Sequence, residues 1–241
     1  MQIDVITIFP EMFPAILGAS ILKRAQGQGH LRAIVHDLRR HTHDKHHTVD
    51  DRPYGGGPGM VMKPEPIFEA VEAIRAEACP RHAAAGRSAC RTILMSPAGR
   101  RLCSSLAEEL SQYAHLLIIC GHYEGVDERV KQGVVDEAIS IGDYVLTGGE
   151  LPALVLIDGL SRFIPGVIGH AQATEDESFS AGWLEYPQYT RPPIFRNMPV
   201  PDVLLSGDHE RIAHWRRLQS VAKTLTLRPD LAKISSKHVS R

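Results

Sequence analysis

His115-Leu-Leu-Ile-Ile-Cys120, followed at once by Gly121-His-Tyr-Glu-Gly125, decides how the rest of the chain is read. A short apolar run halted by glycine is what a strand buried on both faces of a parallel sheet looks like. The same punctuation recurs outward in both directions. Residues 3–8 form a β-branched run ending at Phe9-Pro10, and 31–35 a shorter one. Residues 91–95 stop at Ser96-Pro97, and 138–141 stop at Gly142. Helical patterns lie between these runs. Residues 64–78 place Ile67, Phe68, Val71 and Ile74 on one face. Ser105-Leu-Ala-Glu108 has the form of a capping box opening a helix toward Tyr113. Residues 151–163 are apolar enough to be buried. Strand–helix alternation predicts an α/β fold with a mostly parallel sheet.

Beyond residue 168 the pattern changes. Residues 169–182 are polar and read as a flexible linker around Gln172-Ala-Thr-Glu-Asp-Glu-Ser178. Residues 183–241 begin with the turn-rich Tyr186-Pro-Gln-Tyr-Thr-Arg-Pro-Pro193 and continue into a helix from about Asp208. Ile212, Trp215 and Leu218 are spaced by three on that helix, which predicts one apolar stripe in a small all-α domain. This last segment carries ten Lys+Arg against five Asp+Glu. The chain as a whole has a formal charge of −1, so the remainder carries −6. A basic segment on an acidic body suits a polyanion, although a solvated helix face has the same composition.

Other readings are excluded or weakened. The start of the chain has no basic region and no secretory signal, and no uncharged stretch is long enough to span a membrane. A cytoplasmic protein is expected. The cysteines at 79, 90, 103 and 120 form no CxxC pair, so free thiols are expected, with neither a disulfide framework nor a zinc site. Gly55-Gly-Gly-Pro-Gly59 misses the dinucleotide fingerprint because Met60 stands where its third glycine belongs. No GxxxxGK[ST], HExxH or GxSxG is present. His41-Thr-His-Asp-Lys-His-His47 is rich in imidazole, but without a second ligand cluster it reads as a polar loop.

Three glycine-bearing loops follow three buried strands: Ser96-Pro-Ala-Gly-Arg100, Cys120-Gly-His-Tyr-Glu-Gly125, and Ser140-Ile-Gly-Asp-Tyr-Val-Leu-Thr-Gly-Gly-Glu-Leu-Pro152. Ligands of open α/β sheets bind outside the carboxyl ends of strands. Loops of this kind can hold a nucleoside through backbone groups and apolar walls, or can simply be tight turns.

The second and third loops, with Asp50-Asp-Arg-Pro-Tyr-Gly-Gly-Gly-Pro-Gly-Met60, Gly121-His-Tyr-Glu-Gly-Val-Asp-Glu-Arg129 and Arg162-Phe-Ile-Pro-Gly166, closely resemble the bacterial tRNA (guanine-N1)-methyltransferase family. So do Ile3-Asp-Val-Ile-Thr-Ile-Phe-Pro-Glu-Met-Phe13 and Tyr189-Thr-Arg-Pro192. The resemblance covers nearly the whole chain in order. It implies a SPOUT-type α/β domain over 1–168 with a C-terminal trefoil knot, a linker over 169–182, and a helical tRNA-binding domain over 183–241. It also implies a homodimer. Nothing in the periodicity points to a knot, which generic topology rules disfavour.

The activity so implied is methyl transfer from S-adenosylmethionine to N1 of the guanosine 3′ to the anticodon in tRNA. The cofactor-binding pattern carries over onto Gly121, Ile141, Gly142, Asp143, Tyr144, Val145 and Leu146, with Pro97, Tyr123, Glu124, Gly148, Gly149 and Pro152 as neighbours. Arg162 is the implied cation, and the general base lies just before Ser178-Phe179. There the family shows Asp, and an ungapped reading puts Glu177 in its place. Asp176 serves instead if the register shifts by one. Arg211, Arg216 and Arg217 are expected to meet tRNA phosphates. The resemblance also implies Mg²⁺, for which the sequence offers no assignable ligands.

Overall fold

Residue parity organises the sheet. The computed structural model describes residues 1–84, 90–169 and 177–231. Its strands are β1 (Gln2–Thr7), β2 (Arg32–Asp37), β5 (Cys90–Arg101), β6 (His115–Cys120) and β7 (Glu137–Ser140), in the order β2-β1-β6-β5-β7, with every pairing parallel. Two short strands, β3 (Asp50–Asp51) and β4 (Val61–Met62), pair antiparallel outside this sheet. Along β6, Leu116, Ile118 and Cys120 enter one core while Leu117 and Ile119 enter the other. Both faces are therefore covered, which is why the strand reads as an unbroken apolar run rather than an alternating one.

The first core packs against α1 (Pro14–Leu17), α2 (Ser20–Gly27), α4 (Ser104–Ser111) and α6 (Glu150–Ser161), through Phe13, Leu22, Leu110 and Leu156 among others. The second packs against α3 (Pro64–Ala84) and α5 (Glu128–Gly133), through Ile67, Val71, Ile74 and Val130. The expected face of α3 is the buried one, with Ala70 and Ala78 completing it and Phe68 at its margin. The helix runs past the expected residue 78 to Ala84.

Three local expectations are corrected. The capping box at Ser105–Glu108 does not form. Helix α4 starts at Ser104, its N-cap is Cys103, two residues before the expected Ser105, and no side-chain hydrogen bond caps it. The cysteines are not all free: Cys79 and Cys90 are joined as a disulfide. They are 11 apart in sequence, a spacing that carries no motif, and they meet because the chain turns back from α3 into β5. The apolar stripe of the last helix also differs, as described next.

The chain divides into two compact units, Met1–Gly169 and His170–Arg241. The second is not purely helical. It contains a ribbon of β8 (Ile194–Phe195) and β9 (Met198–Pro199), turned by Arg196 and Asn197, both at positive φ. It also contains α7 (Asp202–Leu205) and α8 (His209–Leu227), the latter capped by Asp208. On α8, Ile212 and Trp215 are half-buried but Leu218 is exposed. Two steps of three already fall behind the 3.6-residue turn, so the inward face moves on to Ser220 and Thr224. Those two side chains bind the Leu184 backbone: Ser220 Oγ donates to its carbonyl at 2.6 Å, and its N–H donates to Thr224 Oγ1 at 2.8 Å. No described helix is long and apolar enough to cross a membrane.

Candidate active site

The carboxyl ends of β6 and β7 and the middle of β5, at Leu94–Pro97, converge on a cavity of about 280 Å³. The loop expected at Ser96–Arg100 is instead part of β5, which continues to Arg101 past a register shift between Met95 and Arg100. Cys120 ends β6, and the chain turns through Gly121 to Gly125, closed by the Gly125 N–H on the His122 carbonyl at 3.0 Å. Tyr123 takes a positive φ within this turn. The segment leaving β7 folds back over it. The Gly149 N–H donates to the Gly121 carbonyl at 2.7 Å, and Gly148 bridges to His122. Gly149 is a place where only glycine fits, since a Cβ there would lie 2.7 Å from Cys120 Cα and 2.9 Å from Gly121 N.

Pro97, Gly121, Tyr123, Glu124, Ile141, Gly142, Tyr144, Val145, Leu146, Gly148, Gly149 and Pro152 all line this cavity. Asp143 does not. Its carboxylate points outward and pairs with Arg101 at 3.8 Å. Sequence reasoning missed His122, Ser96, Lys131 and Thr147, which also line it. His122 and Thr147 lie inside the motif blocks and were there to be found. Lys131, on α5, carries no local signal. Buried His122 Nδ1 has no hydrogen-bond partner among the described residues.

Beneath the cavity, Glu150 starts α6 almost wholly buried and accepts a hydrogen bond from Thr7 Oγ1 at 2.7 Å. This bond ties the loop after β7 to the end of β1. Cys120 lies in the same region, and its thiol is pushed well up, first by burial and then by the Glu150 charge. It is no nucleophile.

The Gly55–Gly59 segment is an exposed turn with Gly55, Gly56, Gly57 and Gly59 all at positive φ. It leads into a clamp on the Gly121–Asp127 loop. Glu124 N–H donates to the Met60 carbonyl at 3.0 Å, Met62 N–H to Gly125 at 2.9 Å, and Asp127 N–H to Met62 at 3.0 Å. The histidine-rich loop holds itself by other means. His43 and His41 face Glu69 at 2.7 and 3.7 Å, and Asp44 accepts from Thr48.

Arg162 caps the C-terminus of α6 in the first unit, half-buried. Glu177 belongs to the second unit, where its carbonyl accepts from Ser180 Oγ at 2.7 Å. Asp176 lies outside the described residues. Arg211, Arg216 and Arg217 are exposed on α8, with the Arg216 guanidinium 4.7 Å from the Tyr186 ring centre. The second unit has its own cavity, about 700 Å³, walled by Tyr186, Tyr189, Leu204, Ile212, Trp215 and Arg216.

Comparison with known proteins finds that residues 1–234 match the family described as "tRNA (Guanine-1)-methyltransferase TrmD". A protein of Geobacillus kaustophilus named tRNA (guanine-N(1)-)-methyltransferase is 52% identical over 231 residues, 96% of this chain and 91% of its own. Proteins of the same name from Dehalococcoides mccartyi and Dictyoglomus turgidum are 54% and 53% identical over 231 and 236 residues. They cover 96% and 98% of this chain and 90% and 91% of their own lengths.

Proposed function

Because this chain belongs to the tRNA (guanine-1)-methyltransferase family, we propose that the cavity at the glycine loops holds S-adenosylmethionine and that its methyl goes to N1 of the guanosine 3′ to the anticodon of tRNA. The observation that carries this reading is the coincidence of two independent sets. Six of the seven residues to which the family's cofactor pattern carries over, and all six of their expected neighbours, line one cavity beside the parallel strands β5, β6 and β7. The lining also suits the group chemically. Backbone groups of Gly121, Gly142 and Gly149 stand beside the apolar Ile141, Leu146 and Pro152, and His122 brings a buried ring nitrogen.

When bound, S-adenosylmethionine supplies a methyl already activated by its sulfonium. The chain's own residues must therefore deal with the acceptor. Guanine N1 carries a proton and is a poor nucleophile at neutral pH. Glu177 is the base that takes this proton, and Asp176 replaces it in that role if the register shifts by one. Base catalysis contributes roughly 10²–10⁴-fold. Arg162 stabilises the negative charge that develops on O6, a preorganised electrostatic contribution of similar or larger size. Residues 53–60, clamped to the Gly121–Asp127 loop, shape the guanine pocket. Arg211, Arg216 and Arg217 meet tRNA phosphates, which position the substrate without reading its sequence. Glu124 is the one carboxylate in the cavity lining among the described residues. That donor set does not make a protein-built Mg²⁺ site, and no step here uses the ion.

The finer architecture follows the family: a trefoil knot in a SPOUT-type methyltransferase domain over 1–168, a linker over 169–182, a tRNA-binding domain over 183–241, and a homodimer in the cytoplasm. Exposed Leu151 and Val155, one turn apart on α6, are the kind of apolar surface a second copy would cover.

Single-turnover methylation of a tRNA with guanosine 3′ to the anticodon, mapped by mass spectrometry of the digest, tests the reading. One N1-methylguanosine per tRNA is expected. A 2′-O-methyl product, or cofactor binding without product, overturns it.

A further inference from the structure

Methyl transfer does not use a second group of reactive side chains, at the amino-terminal end of the sheet. Sγ of Cys79, Sγ of Cys90 and a ring nitrogen of His115 lie within 4.8 Å of one another. They come from three elements. Cys79 belongs to α3, Cys90 is the first residue of β5, and His115 is the first residue of β6 and the register partner of Cys90. His115 is fully buried, while the two cysteines are half-buried and open to solvent.

The imidazole is held from its other side. Strand β1 flanks β6 opposite β5, and from there Asp4 faces His115 Nε2 at 2.8 Å. Asp4 also meets His36 Nε2 at 2.6 Å and the Gln2 amide at 2.7 Å. A buried carboxylate behind an imidazole fixes the ring's orientation and makes its far nitrogen more basic, as behind histidine ligands of metals.

We propose that Cys79, Cys90 and His115 are a binding site for a thiophilic divalent cation, Zn²⁺, which opens when the Cys79–Cys90 disulfide is reduced. Disulfide and metal are alternative states of the same two sulfurs. A small-molecule dithiol reduces the bridge by exchange. The dithiol's sulfurs end joined to each other, and two electrons and two protons pass to Cys79 and Cys90 as thiols. Zn²⁺ then displaces both thiol protons to solvent and forms two Zn–S bonds and one Zn–N bond. Water takes the fourth tetrahedral position. Ligand atoms at the usual bond lengths of about 2.3 Å for sulfur and about 2.0 Å for nitrogen stand roughly 3.5 Å apart, so the two bonded sulfurs separate on reduction while all three ligand atoms stay within 4.8 Å of one another. The Cα atoms of the cysteine pair are 5.7 Å apart, so the backbone need not move far between states. Thiolate and imidazole ligands favour Zn²⁺ over Mg²⁺ or Ca²⁺.

The test uses the full chain, oxidised and dithiothreitol-reduced, freed of reductant under argon and titrated with Zn²⁺ and with Co²⁺. The reduced protein is expected to retain one Zn²⁺ per chain after gel filtration, and the oxidised protein none. Co²⁺ is expected to give a sulfur-to-metal charge-transfer band. Cys79→Ser and Cys90→Ser should each lose the site, and Asp4→Asn should weaken it by roughly 10–100-fold. Should a serine variant misfold, alkylation of the wild-type chain gives the same answer. Zn²⁺ should shield Cys79 and Cys90, but not exposed Cys103, from iodoacetamide. The proposal is overturned if reduced protein binds no Zn²⁺, if Co²⁺ shows no thiolate band, or if the bound Zn²⁺ survives both serine substitutions and disappears with His43→Ala.

Discussion

The two ends of β6 are built by different means. At its carboxyl end, past Cys120, the cavity is bordered by glycine loops whose backbones pass so closely that Gly149 has no room for a Cβ. At its amino end, His115 sits in a row of side chains, His36–Asp4–His115, that crosses the sheet and reaches the cysteine pair. Backbone sites are specified by where the chain turns, and turns are written locally in glycine and proline. Side-chain clusters are specified by which strands become neighbours, and no local residue says that. The comparison teaches that one strand can carry a site readable from sequence at one end and another visible only in three dimensions.

The comparison can be broken most sharply at the chemistry. If the cavity binds and the acidic segment reacts, Glu177→Gln should lower single-turnover methyl transfer by roughly 10²–10⁴-fold while S-adenosylmethionine affinity, by calorimetry, changes less than about twofold. If Asp176→Asn does this instead, the base lies one residue earlier. If neither does, the acidic segment is not catalytic. Next in size, Asp4→Asn should cost about 3 kcal/mol in urea unfolding, because it strips the charge from a buried network, yet leave cofactor affinity intact. Loss of cofactor binding would show that the two ends of the sheet are coupled.

Gly149→Ala is the converse experiment. It should cost about 2 kcal/mol from overpacking and also weaken cofactor binding, read by the same calorimetry. An unchanged affinity would remove the loop crossing from the site. The pH profile of stability sharpens the contrast further. The folded-state pKa of Asp4 is depressed, so its contribution is fully present above the unfolded carboxyl range near pH 4. It is lost as pH falls through the lower folded value. Urea midpoints of wild type and Asp4→Asn should therefore converge on acidification below about pH 4. The smallest effect is expected on α8, where Arg216→Ala should weaken tRNA binding modestly and lower the salt slope by about one.

Much of the fold was legible because its strands are short apolar runs stopped by glycine or proline. Residues 3–8, 31–35, 91–95, 115–120 and 138–141 each overlap a strand of the parallel sheet. The cavity was legible because most of its lining falls in three contiguous blocks, Lys131 on α5 standing outside them. Asp143 was the exception, since a residue inside a motif block can still point outward. The cap of α4 was misread because Ser105 has the composition of an N-cap, whereas the helix already begins at Ser104, which puts Ser105 inside its first turn. Leu218 was misread because a three-residue spacing cannot stay on one helix face for long.

By itself, the sequence determined the α/β alternation, the placing of the glycine loops and the family, since each is written in neighbouring residues. Only the tertiary structure decided that β6 lies between β1 and β5. That order puts Asp4 on one side of His115 and Cys90 on the other, and the return of α3 adds Cys79. The reason is physical: β6 pairs with β1 across 113 positions, Gln2 to His115, and with β5 across 25, Cys90 to His115, and no local pattern records which edge each strand will find.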